Sequence, residues 1–204
     1  MGITERKERE KAEMRRRIVD AAIDMFVAEG YEKVSIRNIA DKIEYSPATI
    51  YLYYKDKDEL LYDVQAEAFQ KLADHFRAHI TSDDPLERLQ QLVMSYLDFA
   101  REYEELYDLM FIIKAPMNSV ENDAEWENGQ DAFSQLRDNV SACVAKGLIR
   151  FTDPMIATLS VWAFAHGFLS LNLRCRIKIA ELDEANIPIM MRNAVQHYLD
   201  TIKV

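Results

Sequence analysis

Apolar residues recur along most of the chain with the period of an α-helix. From Arg15 to Glu29 they are spaced three and four positions apart, which predicts an amphipathic helix with one buried face. Gly30 follows, at the kind of position where helices commonly end. The same spacing returns over residues 36–43, after Ser35, a residue type that caps helix N-termini. The pattern therefore predicts a helix and then a short second helix.

A third short helix is predicted after a break at residues 44–46. Ser46 suits the N-cap of this helix, and Pro47 suits its first position, where no N–H is needed. A fourth helix is predicted to start after Asp56 and to run to about Ile80. Two short helices joined by a tight break are the sequence form of a helix-turn-helix, whose second helix enters the major groove of DNA.

The rest of the chain keeps the helical period. Further helices are predicted over residues 85–103, 106–114, 131–146, 154–175 and 187–202, and the polar segment 117–129 predicts a loop. Only 5 Gly and 5 Pro occur in 204 residues, which disfavours an all-β fold because such folds need frequent turns. We predict an all-α fold, with an N-terminal three-helix helix-turn-helix domain at residues 1–56 and a C-terminal helical bundle at residues 57–204.

The charge pattern separates the two predicted domains. The chain has 25 Lys and Arg against 35 Asp and Glu, but residues 1–60 hold 12 basic and 13 acidic side chains, so most of the net charge of −10 lies downstream. From Tyr45 to Lys55 there is no acidic residue, and hydroxyl groups and aromatic rings predominate. A helix that lies between two phosphate strands is repelled by carboxylates and favoured by hydroxyls. This segment therefore predicts a DNA-contacting helix.

Other function classes find little support in the sequence. There is no GxSxG, HExxH, GxGxxG or P-loop motif, so we predict no enzyme and no cofactor. His75 and His79 have metal-ligand spacing, but without an evident third ligand a solvated helix face is favoured over a metal site. Cys143 and Cys175 are widely separated and predict reduced thiols in a cytoplasmic protein. No run of 18 uncharged apolar residues is present, so no membrane contact is expected.

The block over residues 17–61 resembles the DNA-binding domain of the TetR family of transcriptional regulators. Three co-linear motifs match it, and they comprise Ala21, Ala22, Phe26, Gly30 and Tyr31, then Ser35, Arg37, Ile39 and Ala40, and then Ser46, Ala48, Thr49, Tyr51, Tyr53, Tyr54, Lys57 and Leu60. The chain departs from the family pattern at Glu44-Tyr45, where Gly-Val is usual, and at Ala48, where Gly is common. Trp162, His166 and Gly167 resemble the signature of one C-terminal subgroup of the family.

The resemblance implies a homodimer that binds a palindromic operator in double-stranded DNA, usually as a repressor. It also implies a C-terminal domain that dimerises through its last two long helices and binds a small-molecule effector. We therefore expect a repressor released from DNA by a small apolar or aromatic effector. The alternative is a DNA-binding regulator that is insensitive to ligands or controlled by a protein partner. An apolar void in the C-terminal bundle would distinguish the two.

The resemblance and the acid-free segment together predict the DNA contacts. These are Ser35, Arg37, Ser46, Pro47, Ala48, Thr49, Tyr51, Tyr53 and Lys57, of which Ser35, Arg37 and Lys57 are expected at phosphates. Local packing of Tyr51 or Tyr53 is the alternative for those two rings, and Tyr54 is expected in the core. The run at residues 15–17 fits either a solvated helix face or contact with the DNA backbone.

The predicted effector contacts are large apolar groups in the C-terminal half, because pockets in helical bundles are mainly apolar with a few polar groups. They are Phe99, Tyr103, Tyr107, Met110, Phe111, Trp126, Phe133, Trp162 and His166. For each of these residues, a place in the core or in the dimer interface is the alternative. For His166 the alternative is a core histidine.

Overall fold

A computed structural model describes residues 3–114 and 127–204. Within these residues the structure is helical, and the one β-type pairing is an isolated bridge between Ile149 and Lys203. The helices are α1 Ile3–Glu29, α2 Ile36–Lys42, α3 Pro47–Tyr51, α4 Lys57–His79, α5 Pro85–Glu102, α6 Glu104–Tyr107, α7 Gln130–Ala145, α8 Pro154–Leu173 and α9 Ile187–Ile202. The prediction of an all-α fold, with an N-terminal helix-turn-helix and a C-terminal helical domain, is confirmed.

The described residues form two compact units. The first contains residues 3–68, 105–114 and 127–128, and the second contains residues 69–104 and 129–204. Helix α4 contributes its first half to one unit and its second half to the other. The predicted boundary at residue 56 remains a prediction.

The core of the first unit is built from one face of each of its first three helices. Helix α1 contributes Ile18, Ala22 and Phe26, α2 contributes Ile39, and α3 contributes Ile50, and all five side chains are at most 2% exposed. These are the positions that the three- and four-residue spacing predicts for the buried face. Helix α3 has only five residues, too few to be stable alone, so burial of Ile50 and the packing of α3 on α2 hold it in place.

Both short helices begin at the serine caps that the sequence predicts. Ser35 Oγ accepts the backbone N–H of Asn38 at 3.2 Å, and the Asn38 side chain accepts the Ser35 N–H in return, which completes a capping box. Ser46 Oγ accepts the N–H of Thr49 at 3.2 Å, with Pro47 at the first helical position. Each such cap contributes on the order of 1 kcal/mol to helix stability.

The turn between α2 and α3 contains a residue in the left-handed region. Glu44 has φ = 63°, a conformation that glycine adopts freely and that costs other residues about 1–2 kcal/mol. The turn is braced from α1, because the Arg17 guanidinium donates to Ile43 O at 3.0 Å and lies 5.1 Å from the centre of the Tyr45 ring. The Glu44 departure from the family pattern is therefore accommodated without loss of the helix-turn-helix.

Two helices differ from the sequence prediction. Helix α1 begins at Ile3 rather than near Arg15, and its added turns carry i,i+4 ion pairs such as Arg6–Glu10 at 2.7 Å. An apolar pattern cannot reveal such a segment, because it buries no face. The helix predicted over residues 106–114 is instead the short α6 followed by a π-helical turn at Asp108–Ile112.

The second unit packs α5 against α7, α8 and α9, and α8 also contacts α7 and α9. Asp98 on α5 accepts a hydrogen bond from Arg192 on α9 at 2.6 Å, which ties these two helices together. Within the described residues, α8 is the helix long and apolar enough to span a membrane by length and composition, with 28% of an 18-residue window buried. Polar but uncharged residues interrupt the apolar run of α8, and the absence of membrane contact stays a prediction.

Helix α3 offers a matched pair of apolar positions that tests its packing. Ile50→Ala removes a fully buried side chain, and we expect it to lower the free energy of unfolding by about 2–5 kcal/mol. Leu52→Ala, two residues on, removes a side chain that is 79% exposed, and we expect a change within about 0.5 kcal/mol. Urea unfolding of both variants measures the difference. Equal losses of stability would show that Leu52 is buried in solution.

Candidate functional site

The face of α3 opposite Ile50 is open to solvent. Tyr51 is 55% exposed and Leu52 is 79% exposed, although both are large and mainly apolar. Ser46 and Ala48 are also exposed, whereas Pro47, Thr49 and Tyr53 are partly exposed. We call these seven residues the α3 surface. It combines hydroxyls, aliphatic side chains and aromatic rings, and it contains no charge.

Tyr54 points into the first unit rather than onto the α3 surface. It is 1% exposed, which confirms the prediction of a core residue, and its hydroxyl donates to Asp63 Oδ2 at 2.8 Å. Arg15 Nη2 donates to the same oxygen at 2.7 Å, and its guanidinium lies 4.9 Å from the centre of the Tyr54 ring. Burial first, and then the bond to Asp63, raise the pKa of Tyr54 above its ordinary value, so its hydroxyl stays protonated.

The three arginines at residues 15–17 have different surroundings. Arg15 is in the ion pair with Asp63 on α4, and Arg17 donates to the turn at Ile43. Arg16 is 82% exposed and lies 3.9 Å from Asp20 on its own helix. Two of the three side chains therefore connect α1 to other parts of the first unit, and Arg16 is the one in a solvated position.

Two other predicted phosphate contacts, Ser35 and Arg37, lie at the N-terminal end of α2, the helix before α3. Arg37 is exposed on α2, where its guanidinium can reach an anion. Ser35 is exposed too, but its hydroxyl is already engaged with Asn38 in the capping box. Of these two residues, Arg37 is the better suited to a phosphate.

Lys57 is more deeply involved in the fold than the sequence suggests. Its ammonium donates to Tyr31 O at 2.6 Å and to Val34 O at 2.9 Å, and it lies 3.8 Å from the centre of the Tyr31 ring. Partial burial lowers the pKa of Lys57 from its ordinary value. Since two of its three N–H groups bond the chain between α1 and α2, Lys57 fastens the start of α4 to that connection. One N–H is left for a phosphate.

Several predicted effector contacts meet in the second unit around Tyr96, a residue that the sequence prediction missed. Trp162 Nε1 donates to the Tyr96 hydroxyl at 3.3 Å, and that hydroxyl is 3.1 Å from His166 Nδ1. The Phe133 ring lies 6.0 Å from the Trp162 ring. We call Tyr96, Phe133, Trp162 and His166 the aromatic cluster. Burial lowers the pKa of His166, which favours a neutral ring at pH 7.

Two buried polar atoms in the second unit make no hydrogen bond of ordinary geometry, although the His75 ring interacts with the Ser95 backbone. His75 Nε2 on α4 and Ser95 Oγ on α5 are both enclosed, and Ser95 is 4% exposed. The His75 ring meets the edge of Phe99 at 5.6 Å, and Tyr103 follows at 5.1 Å from Phe99. Buried polar groups in proteins nearly always have a partner, so this pair is unusual. Burial first, and then the neighbouring His79, lower the pKa of His75.

The metal hypothesis for the two histidines gains no support from their geometry. The rings of His75 and His79 are tilted by 32° with centroids 4.1 Å apart, and His79 Nδ1 lies 2.8 Å from the His75 carbonyl oxygen. In the described part of the chain, no group of three His, Cys, Asp or Glu side chains is arranged to hold a metal ion.

Three further predicted effector contacts do not belong to the second unit. Tyr107, Met110 and Phe111 lie in the first unit, where the Tyr107 and Phe111 rings are 4.8 Å apart. Gln65 on α4 donates to Leu109 O at 2.7 Å and so fixes the π-helical turn that holds them. Trp126 lies outside the described residues. Helical spacing could not separate these groups, because it says which faces are apolar but not which faces meet.

Comparison with protein families gives two matches that together cover well over half of the chain. Residues 18–64 match the family of bacterial regulatory proteins described as the tetR family. Residues 89–187 match the family described as tetracyclin repressor-like, C-terminal domain. The first match contains the whole α3 surface, and the second contains the whole aromatic cluster.

Individual relatives agree with the family matches. The chain is 32% identical over 94 residues to the HTH-type transcriptional repressor KstR of Rhodococcus jostii, a match that spans 46% of this chain and 43% of KstR. It is 26% identical over 161 residues to the HTH-type transcriptional regulator HbdR of Aromatoleum sp., spanning 76% of this chain and 69% of HbdR. The chain thus matches less than half the length of KstR.

Solved structures share the fold. A protein of unknown function from Rhodococcus sp. RHA1 superposes with a TM-score of 0.74 at 21% identity, covering 93% of this chain and 95% of that one. At this level of identity the likeness shows the fold alone.

Lys57 and Lys55 form a matched pair that tests the role of the ammonium group. Lys57→Ala leaves two backbone carbonyls without their donor, and we expect it to lower the free energy of unfolding by about 1–3 kcal/mol. Lys55→Ala removes an exposed ammonium two residues away and should change stability by less than about 0.5 kcal/mol. Urea unfolding compares them. Equal stability of the two variants would contradict the structural role of Lys57.

Proposed function

Because the chain belongs to the TetR family of transcriptional regulators, we propose that it binds a palindromic DNA operator as a homodimer and is released by a small-molecule effector. The family consists of regulators rather than enzymes, and we assign the protein no catalytic role and no cofactor. In this proposal it is a cytoplasmic repressor. The observation that carries the proposal is the uncharged, exposed α3 surface on a helix-turn-helix.

The α3 surface fits the major groove both in shape and in charge. The groove admits a helix, and the face opposite Ile50 presents no carboxylate that the phosphates would repel. We assign Thr49 and Tyr51 to base contacts, with Ser46, Pro47, Ala48 and Tyr53 beside them. Arg37 and the spare N–H of Lys57 are assigned to phosphates, which fix the position of the helix without specifying sequence. Ser35 is assigned to a phosphate as well.

The exposed apolar residues of α8 and α9 support homodimerisation. On α8, Ile156 and Leu159 are 58% and 46% exposed, and on α9, Ile189 and Met190 are 58% and 44% exposed. Ile156 and Leu159 are three positions apart and so lie on one face of α8, whereas Ile189 and Met190 are consecutive residues of α9. Because α8 and α9 pack against each other, a second copy of the chain could cover the exposed apolar residues of both helices. This accounts for the apolar composition of α8 without a membrane.

The effector part of the proposal is supported by the second unit. The aromatic cluster supplies apolar surface with a few polar atoms, which is the usual composition of a small-molecule site. Ser95 Oγ and His75 Nε2 can each bond a hydroxyl or carbonyl group of a ligand. Phe99 and Tyr103 adjoin His75 and are assigned to the same site. For Tyr107, Met110, Phe111 and Trp126, an effector contact stays a prediction.

Coupling between ligand and DNA requires that the ligand bind one conformational state better than the other. Two bound recognition helices must match successive major grooves, about 34–36 Å apart. A ligand that favours a state in which the two recognition helices are differently spaced lowers the affinity for the operator. By reciprocity, the operator lowers the affinity for that ligand by the same factor. Helix α4 has residues in both units and is the continuous element through which such a change could pass.

Recovery of genomic DNA fragments by the purified protein tests the DNA-binding proposal. We expect enrichment of a palindromic site at near-physiological salt. Tyr51→Ala should weaken binding to that site by about 1–3 kcal/mol, because a base-contacting side chain is lost. Its binding to unrelated DNA should stay unchanged. Weak, salt-sensitive binding that ignores sequence would contradict the proposal, and equal losses on both kinds of DNA would show that Tyr51 contacts phosphate instead.

Ser95→Ala tests the effector site. Phenol and indole serve as first probes, followed by larger aromatic molecules with one hydroxyl or carbonyl group. The variant should bind a responsive ligand more weakly but should unfold at the same or a higher temperature, because an unpartnered buried hydroxyl is removed. Ser141→Ala is the matched control, since the Ser141 hydroxyl bonds its own helix at Arg137 O.

Calorimetry and operator titration read out ligand binding and DNA release. A ligand that binds without changing operator affinity would favour the alternative, a regulator that is insensitive to ligands or controlled by a protein partner.

A further inference from the structure

The α3 surface lacks the side chains that read bases through paired hydrogen bonds. Arginine and lysine read guanine, and asparagine and glutamine read adenine, through two hydrogen bonds to one base edge. None of these four residue types occurs from Tyr45 to Tyr54. The nearest residues of these types lie outside the helix: Lys42 is the last residue of α2, and Lys55 follows α3. Guanine and adenine edges opposite α3 therefore have no bidentate partner on this helix.

The hydroxyl groups of the α3 surface are partly occupied by the helix itself. Ser46 Oγ accepts the Thr49 N–H and is 3.0 Å from the Thr49 hydroxyl, so the two hydroxyls bond each other at the N-terminus of α3. The Thr49 hydroxyl is engaged with Ser46 in this arrangement, whereas the Thr49 methyl group is available to contact a base. The α3 surface therefore offers mainly carbon atoms to a base.

The exposed apolar groups lie along one side of the helix. Ala48 and Leu52 are four residues apart and Tyr51 is three residues from Ala48, so they are neighbours on the helix surface. Leu52 keeps right-handed helical dihedrals although it follows the last residue of α3, which extends this side by one position. A leucine that is 79% exposed gains no stability in the free protein, but it can bury its side chain against a partner.

Thymine is the base that presents an apolar group in the major groove, its C5 methyl, and alanine, threonine and other apolar side chains contact it. We propose that α3 reads its operator chiefly through thymine methyl groups, packed against Ala48, the Thr49 methyl and Leu52. The inference rests on the proposed DNA-binding function and specifies what that site recognises. Half-sites should accordingly be rich in A·T pairs where α3 lies, with thymines on the strand nearest the helix.

Uracil substitution in the recovered operator tests this readout without altering the protein. Replacing thymine by uracil deletes the methyl group and keeps every Watson–Crick hydrogen bond. We expect each contacted position to lose about fourfold in affinity, the factor that corresponds to roughly 0.8 kcal/mol per buried carbon group. The dependence of binding on salt should stay the same, because the phosphates are unchanged. Uracil placed outside the region covered by α3 is the control and should have no effect.

A second modified base and two variants of the protein test the same contacts. Replacing a sensitive thymine by 5-methylcytosine keeps the methyl, so it should retain more affinity than cytosine at that position. Leu52→Ala and Thr49→Ser each shorten a proposed contact, and Thr49→Ser keeps the hydroxyl that bonds Ser46. In each variant, replacing thymine by uracil should cost less affinity at the base that the altered side chain contacts. The loss of affinity at other bases should stay unchanged.

The outcomes separate this inference from the function on which it rests. Sequence-selective binding that is indifferent to uracil at every position under α3, or a half-site made of G·C pairs there, would overturn the methyl readout and leave the DNA-binding proposal intact. Absence of any sequence-selective binding would overturn both.

Discussion

Burial of Ile50 is the constraint on which DNA recognition by this protein depends. A helix of five residues cannot hold its shape by backbone hydrogen bonds alone, so α3 exists because its cap at Ser46 and its one fully buried side chain fix it against α2. Fixing Ile50 inward also fixes Tyr51 and Leu52 outward. The chemistry of the exposed side is therefore free to vary, while the orientation of the helix is not.

The charged side chains of the first unit serve mainly to hold that arrangement. Arg15 joins α1 to Asp63 on α4, Arg17 braces the turn at Ile43, and Lys57 bonds the connection between α1 and α2. Each of these cations satisfies backbone or carboxylate groups of its own chain. In the proposed complex with DNA, specific recognition therefore falls to neutral groups, and phosphate contact falls to cations that remain exposed, such as Arg37.

The second unit combines two apolar surfaces with different uses. It contains the aromatic cluster, whose Phe133, Trp162 and His166 are partly exposed, and the buried polar atoms of His75 and Ser95, which suit the small molecule proposed as effector. Its exterior carries the exposed residues of α8 and α9, which suit a second copy of the chain. Helix α8 contributes to both, and this double demand explains why it is apolar on nearly every side.

The sequence alone determined most of the helices, the serine caps and the position of the helix-turn-helix. Helical spacing, serine caps and the absence of acidic residues are local properties, and each follows from short-range physical chemistry. The tertiary structure decided which polar groups are used internally. It placed Lys57 on backbone carbonyls, brought Tyr96 to Trp162 and His166, and separated Tyr107 and Phe111 from the aromatic cluster. Those outcomes depend on which helix faces meet, and residues far apart in sequence carry no local signal of that.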